Sequence, residues 1–345
     1  MKKILVALSG GVDSSTAAYL LKLHGFEVAA VTLKLYNSSS KTSVSLQAIE
    51  DSKKVCEFLN IKHYVLDLQK EFKDTIIKDF ISSYLSANTP NPCIICNEKI
   101  KFGLLLDYAQ KLGFDCLATG HYAKIEKVDD EYKLKAGKDK SKDQTYFLYR
   151  LKQKELSKIL FPLGDYTKEE IRKISSSVNL PVAHKPDSQE ICFIETTYHD
   201  FLQKNIKNFN KKVLPGLIVD TNGKKLGKHK GLIYYTIGQR SGLGLTTPEP
   251  VYVLRIDKAT NTIVVGTKKE VFSRTAKIKD ITFVSNKFDG QNFKATVKIR
   301  RMHEPASALI SNDIILFDEQ QASITPGQSA VFYQDDYVLG GGFIV

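Results

Sequence analysis

The chain has 345 residues, and its 50 lysines and arginines against 38 aspartates and glutamates give a formal net charge of +12 at pH 7. This length allows two or three domains with separate cores, and no apolar run is long enough to span a membrane. The excess of positive charge favours a polyanionic partner. The first apolar run begins at Ile4, inside a predicted strand, which leaves no room for a signal peptide.

The cysteine content bears on the cellular compartment. An odd number of cysteines in a large, lysine-rich chain argues against a secreted disulfide framework and predicts reduced thiols in the cytosol. We therefore expect a cytoplasmic protein without a membrane segment. The cysteines are Cys56, Cys93, Cys96, Cys116 and Cys192.

The first predicted element is a buried strand that ends in a glycine turn. The run from Ile4 to Leu8 is apolar, Ser9-Gly10-Gly11 forms the turn, and an amphipathic helical pattern extends from Asp13 to Leu23. Two glycines let the backbone aim N–H groups at an anion, and the helix start adds unpaired donors and the positive end of its dipole. We predict a phosphate cradle here, with a plain strand-to-helix turn as the alternative.

This turn differs from the common ATPase loop, because no lysine lies between Lys3 and Lys22. Its pattern Ser-Gly-Gly-x-Asp-Ser resembles the pyrophosphate loop of the ATP pyrophosphatases, which split ATP into AMP and pyrophosphate while adenylating an acceptor. Asp13 is a candidate magnesium ligand, since hard oxygen ligands suit that ion.

Strand-like and helix-like segments alternate through the first half of the chain. Strands are predicted at Val28 to Leu35, Tyr64 to Leu68 and Asp115 to Ala118, and helices at Ile49 to Leu59 and Lys99 to Leu112. Such alternation predicts an α/β fold with a parallel sheet covered on both faces. Ligands of these sheets bind at the carboxyl ends of the strands. The residues expected there are Ser9, Leu33 and Gly120.

Two segments near these elements are assigned no functional role. The serine-rich stretch from Tyr36 to Ser45 is typical of a loop beside the predicted site. Thr167-Lys168-Glu169-Glu170 has the pattern of a capping box, which we interpret as a purely structural helix start.

The pattern changes in the second half of the chain. Gly216 to Asp220 and Lys224 to Gly227, joined by Thr221-Asn222-Gly223, predict a hairpin. From Thr275 onward, period-two segments predict a small antiparallel barrel, with Gly340-Gly341-Gly342 as a bulge. The predicted domains are a catalytic α/β domain (1–200), a small central module (201–270) and a C-terminal barrel-like domain (271–345).

A second informative site is Thr89-Pro90-Asn91-Pro92-Cys93-Ile94-Ile95-Cys96-Asn97. Its prolines keep the chain extended before the cysteines. We predict that Asn97 caps the following helix, which places Cys96 at the helix N-terminus with a lowered thiol pKa. A third segment, Lys185 to Phe193, sets Cys192 near another proline.

Three other interpretations of the cysteines stay open. A lone Cys-x-x-Cys could be half of a zinc site, but the sequence offers neither a second pair nor finger-spaced histidines, so no metal site is predicted. A thioredoxin-type redox pair would follow a strand closely, whereas this pair follows prolines. Buried, inert thiols fit Cys56 and Cys116, whose sequence surroundings are apolar.

Positive charge is concentrated in one stretch of the chain. Eight lysines lie between Lys204 and Lys230, where Asp220 is the one acidic residue. Beside the Arg300-Arg301 pair, this run predicts a groove for RNA phosphates, and a solvated lysine-rich face is the alternative. The aromatic residues that flank the run are Phe201, Phe209, Tyr234 and Tyr235.

Together these motifs resemble the bacterial tRNA-uridine 2-sulfurtransferases (2-thiouridylases), and the resemblance covers nearly the whole chain. Seven motifs in the same order are far more specific than any one of them. Besides the glycine turn and the two cysteine segments, the matching segments are Ala118 to Ala123, Lys142 to Leu148, Gly231 to Arg240 and Thr325 to Ala330.

The resemblance implies ATP-dependent thiolation at C2 of the wobble uridine in tRNAs for lysine, glutamate and glutamine. ATP, with magnesium, would adenylate the C2 oxygen and expel pyrophosphate. Cys192 would carry sulfur as a persulfide received from a cysteine desulfurase or a relay protein. Cys96 would release that sulfur by closing a Cys96–Cys192 disulfide. An order in which Cys96 first attacks the base stays open.

The resemblance also implies a set of site residues. Those expected to bind ATP are Ala7, Leu8, Ser9, Gly10, Gly11, Val12, Asp13, Ser14, Leu33 and Gly120. Those expected to meet the target base are Asn91, Pro92 and Cys93. Those expected to touch the rest of the tRNA are His121, Lys142, Asp143, Gln144, Arg300, Arg301 and Gln328. Many members carry aspartate where this chain has Cys93, so this chain departs from the family pattern by lacking that carboxylate.

Three other functions compete with this one. An amide-forming ATP pyrophosphatase needs an ammonia source and has no use for two separated reactive cysteines. The enzyme that makes 4-thiouridine carries added domains that this sequence does not show. A non-catalytic tRNA-binding protein with structural ATP is the alternative from a different class, and pyrophosphate release separates it from an enzyme.

Overall fold

The computed structural model describes residues 1–36, 44–187, 191–288 and 291–345. The serine-rich stretch after Tyr36 therefore lies mostly outside the described residues. The strands of the first half are β1 Lys3–Ala7, β2 Glu27–Lys34, β3 Lys62–Asp67, β4 Cys116–Ala118, β5 Ala123–Val128, β6 Glu131–Ala136 and β7 Ile159–Leu160.

A parallel five-stranded sheet forms the centre of the first half, in the order β3-β2-β1-β4-β7. The predicted α/β fold is thus confirmed. The middle strand β1 is buried on both faces, as its continuous apolar run indicates. Ile4 and Val6 pack with the helices Val12–Leu23 and Val44–Leu59, whereas Leu5 packs against the opposite layer.

Helices cover both faces of this sheet and continue into the second half. The α-helices are Val12–Leu23, Val44–Leu59, Gln69–Phe72, Lys78–Leu85, Pro92–Ile95, Leu105–Lys111, Gln153–Leu156, Lys168–Ser177, Tyr198–Asn205 and Phe209–Lys212. The π-helical segments are Lys73–Ile77 and Cys96–Leu104. The short 3-10 helices are Lys140–Lys142, Thr145–Phe147, Leu232–Tyr234 and Lys269–Val271. None of the helices in the described residues has the length and hydropathy that crossing a bilayer requires.

A second, four-stranded sheet follows. Its strands are β8 Gly216–Val219, β9 Lys225–His229, β10 Tyr252–Asp257 and β11 Thr262–Gly266, in the order β10-β11-β8-β9. The antiparallel pair of β8 and β9 is the hairpin that the sequence predicts around Thr221-Asn222-Gly223. Ile218, Val253 and Ile263 form its buried core.

The C-terminal strands close into a six-stranded antiparallel barrel, which confirms the predicted architecture. The strands are β12 Phe272–Phe283, β13 Phe293–Lys298, β14 Ala306–Ser311, β15 Ile314–Ala322, β16 Ser329–Gln334 and β17 Tyr337–Ile344. Their order is β12-β15-β14-β13-β16-β17, and pairing between β12 and β17 closes the circle. The hairpin β5–β6 of the first half pairs with β17 through Lys135 and Tyr337, which the sequence did not predict.

The glycine run of the last strand permits close packing. The register shift between β16 and β17 leaves Leu339 unpaired, so the bulge lies beside the predicted glycines. A Cβ atom on Gly341 would lie 2.9 Å from a ring carbon of Tyr149. The barrel therefore packs tightly on the first half of the chain.

Candidate active site

The glycine turn forms an open backbone cradle at the carboxyl end of β1. Gly10 has a φ of +68°, which favours glycine, and Gly11 is the N-cap of the helix Val12–Leu23. No described side chain caps this helix, so its first N–H groups are available to an anion. The Ser9 backbone N–H donates to Ser14 Oγ at 3.1 Å, which fixes the curve of the turn.

Close contacts hold the cradle in place. A Cβ atom on Gly120, just after β4, would lie 2.8 Å from the backbone nitrogen of Ser14. A Cβ atom on Gly10 would lie 2.8 Å from the carbonyl oxygen of Ala48. Leu33 lies one residue before the end of β2. The carboxyl ends of three neighbouring strands thus meet here, as the sequence predicts.

A charged network that sequence reasoning missed lies beside the cradle. Lys168 Nζ donates to both carboxylate oxygens of Asp13, at 2.6 and 2.8 Å. Tyr122 Oη donates to the same carboxylate at 2.8 Å. Lys168 also pairs with Asp187 at 2.9 Å. The predicted capping box is confirmed, since Thr167 caps the helix Lys168–Ser177, and the box also supplies this lysine.

A second lysine approaches the turn itself. Lys185 Nζ donates to the Gly10 carbonyl oxygen at 2.9 Å and pairs with Asp51 at 2.7 Å. Lys185 is the first residue of the segment that carries Cys192. That position is the one feature of the sequence that could have pointed to Lys185. Two ammonium groups therefore lie at the edge of a backbone anion site, and both suit phosphate oxygens.

The segment with Cys93 and Cys96 starts its helix earlier than predicted. A continuous helical run, 92–111, begins at Pro92, and Asn91 caps it by accepting from the Cys93 N–H at 3.3 Å. We call this run the thiol helix. The prediction that Asn97 is the cap is wrong, because proline at the first position with a preceding asparagine already makes a complete helix start.

Asn97 instead lies buried inside the thiol helix. Its Nδ2 donates to the carbonyl oxygen of Phe147 at 3.0 Å. Its Oδ1 is buried and has no hydrogen-bond partner among the described residues. Asn97 thus ties the thiol helix to the Lys142 to Leu148 segment.

The thiols have raised pKa values, which corrects the predicted lowering for Cys96. Cys96 is 7% exposed, and burial raises its thiol pKa to about 12. Desolvation disfavours a thiolate more than the helix end favours it. Cys192 is exposed as a residue, yet desolvation by the surrounding protein raises its thiol pKa to about 11. Burial also raises the pKa of Cys93.

Cys93, Cys96 and Cys192 lie within electrostatic reach of one another. Cys192 and Cys93 each contribute to the raised pKa of Cys96, and Cys93 contributes to that of Cys192. All three are free thiols. No cluster of three or more potential metal ligands occurs in the described ranges. Cys56 and Cys116 lie in the core of the sheet, where burial raises the Cys56 pKa to about 12.

All three parts of the chain meet at Thr89, just before the thiol helix. The Thr89 N–H donates to the Pro326 carbonyl oxygen at 2.8 Å, and Gln328 Nε2 donates to the Thr89 carbonyl oxygen at 2.7 Å. Thr89 Oγ1 also donates to Thr236 Oγ1 at 3.3 Å. Gln328, predicted to touch tRNA, therefore has a structural partner here.

Several of the predicted tRNA contacts also have protein partners. His121 is buried between the rings of Phe102 and Phe161, so its side chain is not on the surface. Gln144 accepts from the Tyr122 N–H, Asp143 accepts from Thr145, Lys142 pairs with Asp187, and Arg300 donates to the Ala322 carbonyl oxygen.

Arg301 is placed differently from these. It is exposed, its guanidinium lies 5.6 Å from the ring centre of Phe147, and its charge lowers the pKa of Cys93 against the larger effect of burial. The barrel thus contributes a cation to the thiols.

The lysine-rich stretch is exposed, but its aromatic neighbours are not all on the surface. Lys204, Lys211 and Lys212 are exposed, whereas Phe201 and Tyr235 are buried in two separate cores. Phe201 and Tyr235 therefore support the fold rather than an exposed surface.

Models of known protein families match this chain almost from end to end. They are described as tRNA methyl transferase HUP domain (2–196), tRNA methyl transferase PRC-barrel domain (199–267) and aminomethyltransferase beta-barrel domain (273–344). Fold and matches together define a HUP-domain protein with two β domains after it.

Curated relatives make the assignment more specific. Proteins named tRNA-specific 2-thiouridylase MnmA from Clostridium botulinum (strain Alaska E43) and Clostridioides difficile (strain 630) are 45% and 44% identical to this chain. Each match covers 99% of this chain and 98% of the relative. The chain belongs to the tRNA-specific 2-thiouridylase family. The U34-tRNA thiolase NcsA from Methanococcus maripaludis, a solved structure, is 20% identical over 61% of this chain and 66% of its own, with a TM-score of 0.36.

Proposed function

We propose that this protein thiolates C2 of the wobble uridine in tRNAs for lysine, glutamate and glutamine, in the cytoplasm and at the expense of ATP. The products are 2-thiouridine, AMP and pyrophosphate. The observation that carries the proposal is identity of about 45% to 2-thiouridylases along 99% of the chain. The electrostatic coupling of Cys96 and Cys192 supports it.

Activation of the base is assigned to the glycine turn. The backbone from Ala7 to Ser14, with Leu33 and Gly120 beside it, would hold ATP, and its N–H groups would bind the phosphates. Lys168 and Lys185 add positive charge where pyrophosphate leaves. Both oxygens of Asp13 are already bonded to Lys168, so magnesium would be held mainly by the phosphates of ATP.

Sulfur transfer is assigned to Cys192 and Cys96. A sulfur-donor protein, a cysteine desulfurase or a relay protein, loads Cys192 as a persulfide. Its terminal sulfur adds to C2 of the adenylated base, and AMP leaves with the former C2 oxygen. Cys96 then attacks the Cys192 sulfur, which frees the thiolated base and closes a Cys96–Cys192 disulfide. An external thiol reduces that disulfide before the next turnover.

The tRNA would lie across the junction of the three parts of the chain. Asn91, Pro92 and Cys93 would face the target base at the start of the thiol helix, and Arg301 would bind a neighbouring phosphate. Cys93 stands where many relatives have aspartate, and the cations beside it, Lys101 and Arg301, suit a negative group there.

The proposal is tested by mass analysis of tRNA nucleosides from cells that lack the protein. We expect 2-thiouridine derivatives to disappear from the wobble position and to return with the wild-type gene or with Cys56→Ser, but not with Cys192→Ser. Retention of 2-thiouridine in the deletion strain contradicts the proposal. Pyrophosphate release that depends on tRNA excludes a purely tRNA-binding role.

A further inference from the structure

The thiol helix changes its winding where its reactive cysteine lies. It is α-helical over Pro92–Ile95, π-helical over Cys96–Leu104, and α-helical again over Leu105–Lys111. In an α-helix, residue i+5 points about 140° away from residue i. In a π-helix, the i→i+5 hydrogen bonds place residue i+5 roughly one full turn after residue i, so both point in a similar direction. Since Lys101 follows Cys96 by five positions, the π segment sets both on one face.

The Lys101 ammonium acts electrostatically on groups from three separate segments. Its positive charge lowers the pKa of Cys93, Cys96 and Cys192, in each case against the larger effect of burial. It also adds to the effect of burial in lowering the pKa of His121. These groups belong to the thiol helix, to the segment 185–193 and to the loop after β4.

Lys101 has no carboxylate partner in the described parts of the chain. It is half-buried, and none of the described side chains forms an ion pair or hydrogen bond with it. Glu98, the acid on the preceding turn, is bonded to Arg150 at 2.9 Å. The charged or titratable groups that act on the Cys96 thiol are thus one cation, Lys101, and two thiols, Cys93 and Cys192. A partly buried ammonium without a counter-ion favours a negative charge arriving beside it.

We propose that Lys101 is a further functional residue, whose ammonium stabilises the Cys96 thiolate during sulfur release. Its place in the reaction rests on the proposed function. The Cys96 thiol loses its proton, and the thiolate attacks the Cys192 sulfur of the Cys192–S–S–C2 adduct. The Cys96–Cys192 bond forms as the S–S bond to the transferred sulfur breaks. The electron pair passes to the sulfur on C2, and a ring nitrogen takes a proton.

The test measures Cys96 alkylation by iodoacetamide as a function of pH, in the full-length protein without ATP or tRNA. Peptide fragmentation separates Cys96 from Cys93, and Cys56 is the internal reference. In Lys101→Met we expect the Cys96 profile to move to higher pH by about one unit, so that alkylation at about pH 8 is about tenfold slower. Lys101→Arg keeps the charge and should retain the wild-type profile.

The matched control is Lys99→Met, which removes an exposed lysine from the same π segment and should change nothing. A Lys101→Met profile equal to wild type, or a Lys101→Arg profile shifted as far as that of Lys101→Met, overturns the proposal. Thermal unfolding checks that Lys101→Met is folded. If this variant does not unfold cooperatively, Lys101→Gln is used in its place. Because alkylation needs no tRNA, a negative result here leaves the thiolation reaction itself standing.

Discussion

The electrostatics of single residues in the candidate site depend on packing that the local sequence does not show. The family resemblance implies that Cys96 and Cys192 are the reactive pair, and in the structure Cys192 contributes to the raised pKa of Cys96. The sequence could not indicate that burial raises both pKa values, because desolvation depends on segments that pack from far along the chain. Lys168 was missed for the same reason, since its partner Asp13 lies 155 positions away.

A prediction at this scale concerns Gly120. A Cβ atom there would meet the Ser14 backbone nitrogen at 2.8 Å, so Gly120→Ala must push the phosphate cradle away from β4. We expect tRNA-dependent pyrophosphate release to fall about tenfold or more, with most of the loss in the KM for ATP. Gly137→Ala is the matched control, because its Cβ atom would meet nothing closer than 3.4 Å. Equal activity of the two variants would show that the cradle does not need this contact.

Among the elements, the strands and the early helices could be predicted because their apolar periodicity is local. The predicted start of the thiol helix is wrong because two asparagines, Asn91 and Asn97, both precede helical sequence and the prediction assigns the cap to the later one. Asn97 has a cap-like position in the sequence, but Asn91 with Pro92 forms the cap, and Asn97 is buried. The hairpin β5–β6 was missed because it completes its packing on β17, which lies about two hundred residues later.

At the scale of elements, the attachment of the thiol helix to the barrel can be tested at Gly327. Its φ is +91°, and a Cβ atom would lie 2.8 Å from the Thr89 backbone nitrogen. Gly223 has a similar φ of +81° but no atom within 4 Å of such a Cβ. Both alanine variants carry the backbone strain, of about 1 kcal/mol or more. Only Gly327→Ala should also displace the helix and slow thiolation about tenfold. Equal rates for the two variants would mean that this attachment does not position the thiols.

In the molecule as a whole, the charge and the three-part architecture point to the same partner. The net charge of +12 predicts a polyanion, and the family of the chain acts on tRNA. The order of the α/β, central and barrel parts follows from changes in periodicity along the chain. Periodicity could not show that all three parts meet at Thr89, because contacts between residues far apart in the chain leave no local pattern.

The lysine-rich stretch provides a test at this scale. We expect the double variant Lys211→Gln and Lys212→Gln to bind tRNA more weakly. The slope of log affinity against log salt should become shallower by about 1 to 2, because fewer phosphate contacts form and fewer counter-ions are released on binding. The exposed pair Lys53 and Lys54, changed in the same way, controls for net charge. If both double variants have the same slope in filter-binding or fluorescence titrations, the stretch is only a solvated face.

The most direct measurement maps disulfides after a single turnover with persulfide-loaded protein, ATP and tRNA, followed by acid quenching and non-reducing peptide mass spectrometry. The proposed sulfur transfer predicts a peptide pair joined through residues 96 and 192, equal in amount to the 2-thiouridine formed and absent when ATP is omitted. Stoichiometric 2-thiouridine without that linked pair would contradict it.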